Sequence, residues 1–114
     1  MAHPYLEDLK ILANRHLKGQ SDIECKHFFS GAALYANGEI CVSLTPVGLA
    51  FKLSEDLCAE LIESGAASPL RYFANSPVKK GYVLFPDFID LDTRFLSQYF
   101  RKAITRSTSD KRGG

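Results

Sequence analysis

Cys25-Lys26-His27 sets a thiol beside an imidazole, the pair that nucleophilic catalysis or a metal centre would use. In an extended stretch side chains alternate, so Cys25 and His27 would share a face. Structural zinc sites, however, present close cysteine pairs, and Cys25, Cys41 and Cys58 stand far apart. The spacing favours three semi-buried small apolar side chains and a surface histidine. On this reading the chain has no catalytic residue, no metal ligand and no cofactor. His3 and His16 have no evident partner, and His16 falls at the edge of a helical stripe.

Three further groupings have an equally plain explanation. Ser30-Gly31-Ala32-Ala33 could cradle a phosphate, but it leads into a strand, whereas phosphate loops open a helix whose amides face the anion. Small residues here serve close approach by a neighbouring element. Asp87, Asp90 and Asp92 gather ahead of a helix, where a carboxylate caps the first turn. Basic residues occur at Lys79-Lys80, at Arg101-Lys102-Arg106 and at Lys111-Arg112; brought together, with Arg71, Tyr72 and Phe73 adding stacking, they could contact phosphates. Against that, 14 basic and 13 acidic side chains leave a net charge of +1, too little to drive general attraction to nucleic acid or anionic lipid.

The elements that must hold these residues centre on 26–53, where apolar and polar residues alternate between turns. Ala32 to Ala36 reads as a strand, Asn37-Gly38 as a type I′ turn, and Glu39 to Thr45 as the returning strand. Pro46-Val47-Gly48 turns the chain again into Leu49 to Leu53. Ile40, Val42 and Leu44 are expected on the buried face, with Glu39, Cys41, Ser43 and Thr45 opposite. Lys26 to Phe29 reads as a short lead-in strand after a polar connection, 20–24.

Before it, Tyr5, Leu6, Leu9, Leu12, Ala13 and Leu17 recur at helical steps, with Pro4 at the start and Gly19 beyond the end. Ser54 reads as the cap of a second helix with Leu57, Cys58, Leu61 and Ile62 inward and Gly65 ending it. Leu70 to Ala74 and Tyr82 to Phe85 read as two strands. A third helix, capped by Asp90 or Asp92, turns Leu91, Phe95, Leu96, Tyr99, Phe100, Ala103 and Ile104 inward. The expected class is therefore α+β, an antiparallel sheet in the order α-β-β-β-α-β-β-α with helices on its apolar face. One domain spans 1–106, and 107–114 reads from composition as a flexible tail.

At 114 residues, 46% of them hydrophobic, the chain can bury a core without disulfide or metal. Three cysteines, an odd number at wide spacing, read as reduced thiols in a cytoplasmic protein. The apolar runs are too short to span a bilayer.

Phe28-Phe29-Ser30-Gly31-Ala32-Ala33-Leu34-Tyr35-Ala36-Asn37-Gly38, followed by Leu49-Ala50-Phe51-Lys52-Leu53 and an acidic helix, resembles the N-terminal domain of the TfoX/Sxy family. Phe29, Gly31, Leu34, Tyr35, Gly38, Leu49, Lys52 and Tyr72 fall on the family pattern; Phe28, Ser30, Ala32, Ala33 and Phe51 depart from it. The resemblance implies a fold akin to type III secretion chaperones and a non-enzymatic role in positive regulation of DNA-uptake competence genes. Its implied partners are proteins of the transcription machinery, with the cyclic-AMP receptor protein as co-activator. Longer members continue into a helical C-terminal domain, so a stand-alone relative or a fragment is expected here.

Two surfaces are candidates for protein contact: a sheet face left uncovered, with Tyr35 and Cys41 on it, and an edge strand that could pair with its copy in a homodimer. Together with Arg71, Tyr72, Lys79 and Lys80 these form the expected interaction surface. The alternative is a chaperone-like module that binds a peptide or another ligand on the open sheet face.

Overall fold

In a computed structural model the described residues form a six-stranded sheet in the spatial order Ile23–Phe28, Gly31–Ala36, Glu39–Thr45, Gly48–Lys52, Tyr82–Phe85, Ser68–Pro69, every neighbouring pair antiparallel. The structure describes residues 4–17, 23–71, 75–86 and 92–113, the last stretch as backbone only from 106 onward. In chain order the elements are α1 (Tyr5–His16), β1 (Ile23–Phe28), β2 (Gly31–Ala36), β3 (Glu39–Thr45), β4 (Gly48–Lys52), α2 (Glu55–Glu63), β5 (Ser68–Pro69), β6 (Tyr82–Phe85) and α3 (Thr93–Gly113). The α+β antiparallel class holds.

Three boundaries differ from the sequence reading. The lead-in is a full strand beginning at Ile23, because pairing with all of β2 satisfies its backbone groups. The strand expected over 70–74 is instead the short β5 at Ser68–Pro69, where Pro69 removes a ladder donor; 72–74 lie outside the described residues. Beyond 106, where a tail was expected, the backbone continues α3.

Helices α1, α2 and α3 pack on one face of the sheet. Leu34, Val42, Leu44, Leu49, Phe51, Val83 and Phe85 point into that core, meeting Leu9 and Ala13 of α1, Cys58 and Leu61 of α2, and Leu96, Phe100 and Ala103 of α3. Phe51 is fully buried, edge-on to Phe100 with ring centres 5.1 Å apart and to Phe85 at 5.9 Å. Such ring pairs add about 0.5–1.5 kcal/mol each beyond area burial. Phe95, expected inward, is 52% exposed and stacks against Tyr99 with ring centres 6.4 Å apart. Leu91 lies outside the described residues.

His16, expected at the edge of the helical stripe, is buried where α1 meets α3. Its Nδ1 lies 2.6 Å from Ser97 Oγ, and its ring stacks on Phe100 at 5.4 Å. The helix ends follow local chemistry. Ser54 Oγ accepts from Leu57 N–H, and at the start of α3 Asp92 Oδ1 accepts from Arg94 N–H at 2.8 Å; Asp87 and Asp90 lie outside the described residues.

Asn37 and Gly38 both have positive φ, as the two-residue turn between β2 and β3 requires. Gly31 answers a different need: a Cβ there would lie 2.7 Å from Thr45 Cα and collide with the Leu44 carbonyl. The small residues at the start of β2 thus permit close approach of β3.

Gly31→Ala should therefore cost about 3 kcal/mol or prevent folding. Phe51→Ala should cost about 3–5 kcal/mol, and Thr45→Ala about 1 kcal/mol through the bond its Oγ1 accepts from Val47 N–H. Equal midpoints for all three in urea melts would contradict this packing.

Burial, then the neighbouring Arg15 charge, hold the His16 imidazole below its ordinary pKa. The neutral ring is the form that fits, so its stabilisation is complete above about pH 6.5 and is lost as pH falls through the depressed folded value. Thermal melts should show a fall in Tm on acidification that is smaller in His16→Gln.

Candidate interaction face

Between Leu34 and Tyr35 of β2 the register with β3 shifts: Leu34 faces Val42 while Tyr35 faces Ile40, which leaves Cys41 as the extra residue of a β-bulge. Beyond a bulge the inward and outward positions exchange. Cys41, expected on the open face, is fully buried in the helix-side core with its Sγ donating to the Leu34 carbonyl. Ile40, expected inward, stands opposite Tyr35 and is half-buried. Tyr82 holds this point from β6, its hydroxyl donating to the Ile40 carbonyl at 2.9 Å.

The face away from the helices carries a smaller cluster of Ala50, Leu70 and Leu84, with Val47 and Tyr82 against it. Further along lie half-buried Tyr35 and, on the same side of β1, Glu24 and Lys26. Lys26 sits 5.3 Å from the Tyr35 ring centre and Lys79 sits 5.4 Å from that of Tyr82, distances at which a cation is drawn to a ring face. Lys52 pairs with Glu39 at 3.1 Å. A recess of about 490 Å³ opens between Ile23, Glu24, Lys26, Tyr35, Asn37 and Gly38.

A second recess, about 400 Å³, lies by the start of α1 and is lined by Tyr5, Leu6, His27 and Phe29. Phe29 is 68% exposed at the tip of the β1–β2 hairpin, with φ of 51°. A bulky side chain with positive φ is uncommon and strained by about 1–3 kcal/mol, and such strain gathers where a side chain is used. Its only sequence signal was its place on the family pattern.

Of the expected interaction residues, the fold brings Tyr35 and Lys79 to the same side of the sheet and removes Cys41 from it. Arg71 is exposed and its Nη1 donates to the Ser76 carbonyl at 3.2 Å; Lys80 is exposed in the turn before β6; Tyr72 and Phe73 lie outside the described residues. The composite basic patch does not form from the described side chains. Lys79 sits over Tyr82 on one side of the sheet, whereas α3, carrying exposed Arg101 and Lys102, packs on the other.

Cys25 and His27 do share a face of β1, yet burial raises the Cys25 thiol above its ordinary pKa, the reverse of what activates a nucleophile. Burial also pushes Cys41 up to about 12. No group of three or more His, Cys, Asp or Glu that could hold a metal occurs among the described residues, and no helix among them is long and apolar enough to cross a membrane.

A helix-backed antiparallel sheet with a bulged central hairpin defines a small α+β domain. The chain belongs to the TfoX N-terminal domain family, whose sequence model matches residues 15–107. Neither a curated protein nor a solved structure matches it.

At neutral pH Cys25 should react with a maleimide no faster than a free model thiol, and Cys41 should react only on unfolding. Mass spectrometry of a labelling time course reads both, and fast modification of Cys25 would restore it as a candidate nucleophile.

Proposed function

We propose that this chain is a non-enzymatic regulatory domain that works through protein contacts, in the manner of the TfoX/Sxy positive regulators of competence genes. The observation that supports this reading is the sheet face opposite the helices. Its aromatic and cationic side chains, Lys26 with Tyr35 and Lys79 with Tyr82, combine ring surface with charge, the mixture that protein interfaces favour. The net charge of +1 and the separation of Lys79 from α3 argue for a protein partner over direct contact with nucleic acid. The proposed partner is the transcription machinery with the cyclic-AMP receptor protein, and the proposed site of action is the cytoplasm.

A chaperone-like peptide-binding role is the second reading, and exposed Phe29 beside its recess is the observation that favours it.

A competence-promoter reporter in cells lacking their own regulator of this family separates the two. Expression of the chain should raise transcription only when the cyclic-AMP receptor protein is present, and Tyr35→Ala should abolish the rise without lowering Tm. No response from folded, expressed protein, together with Phe29-dependent suppression of a client's aggregation, would favour the second reading.

A further inference from the structure

The two edges of the sheet differ in how they are protected against pairing. One ends in β5, two residues long and containing Pro69, which blunts it. The other is β1, six residues with neither proline nor bulge, and among the described residues its principal contacts are β2 and α1. An edge of this kind presents a row of backbone donors and acceptors to any strand that fits.

Which groups point outward follows from the hairpin. Phe28 faces Gly31 across a two-residue turn, and such a turn closes on a hydrogen-bonded pair. Bonding then alternates, so Phe28, Lys26 and Glu24 direct their N–H and C=O toward β2, and those of Ile23, Cys25 and His27 point away from the sheet. A second copy pairing antiparallel with this edge must set outward residues against outward residues. Around a two-fold axis that leaves three central registers.

Centred on Lys26, the dimer would oppose Lys26 to its own copy; centred on Glu24, it would oppose two carboxylates. Like charges directly opposite are unfavourable. Centred on Cys25, Cys25 meets Cys25, Ile23 meets His27, and Glu24 meets Lys26 twice by symmetry. The two charge pairs then fall at the positions where cross-strand side chains come closest. Glu24 and Lys26 are both exposed and already approach within 3.5 Å in one chain, so exchange of partners needs only side-chain rotation.

We propose that the partner for β1 is a second copy of this chain, joined antiparallel about a two-fold axis at Cys25, so that the two sheets become one. The contact is isologous, as a closed dimer requires. It sets the two Tyr35 recesses side by side on one continuous face, since Ile23, Glu24 and Lys26 line each of them. Such a dimer rests on the strand edge and its charges, whatever the Tyr35 face binds.

Sedimentation of the native chain over a concentration series should show a monomer–dimer equilibrium. Glu24→Lys and Lys26→Glu should each weaken the dimer by about tenfold or more, and the double swap should restore it, because it rebuilds both pairs in reverse. A short bifunctional thiol reagent should join Cys25 to Cys25, at a Cα separation of about 5.5 Å. Cys25→Ser should abolish that product while leaving sedimentation unchanged. A monomer at every concentration, a dimer indifferent to both single reversals, or cross-linking through Cys41 or Cys58 would overturn the proposal.

Discussion

Burial of Phe51 is the constraint on which the remaining structure depends. Its ring touches those of Phe85, Tyr99 and Phe100, and so ties the middle of the sheet to its neighbouring strand and to α3. Phe100 carries the linkage onward, because the His16 ring of α1 stacks on it. Four elements, α1, β4, β6 and α3, thus share one aromatic cluster. With interior packing close to that of a crystal, a void at Phe51 could not be relieved at one contact alone.

With the helices committed to one face, the chemistry of the other is set by smaller forces. A single extra residue at Cys41 turns a thiol inward and leaves Ile40 opposite Tyr35. The Tyr82 hydroxyl reaches across from β6 to the Ile40 carbonyl, so the irregular point is tied to the far side of the sheet. A face that simple alternation makes polar and thiol-bearing becomes one of rings and cations. Among the described residues the β1 edge carries neither proline nor bulge, and the proposed pairing through it would bring two such surfaces together.

Much of the architecture was legible because local chemistry and tertiary packing agree. Asn37-Gly38 accepts two positive φ angles that most residues resist. Ser54 and Asp92 are caps by side-chain geometry alone. Val42, Leu44, Leu49 and Phe51 alternate as a strand with one buried face must. The site was less legible. Cys41 looked outward by parity, since a bulge leaves no mark in periodicity, and His16 looked peripheral because its partners, Ser97 and Phe100, lie on a helix far along the chain.

The amino-acid sequence by itself determined the class, the turns, the helix starts, the greater part of the core and the family resemblance, since each rests on the conformational preferences or apolar spacing of neighbouring residues. Only the tertiary structure decided the β1 edge, the burial of Cys41 and His16, and the separation of the basic residues to opposite sides of the sheet. Those depend on contacts between segments remote in the chain, whose alignment no local pattern encodes.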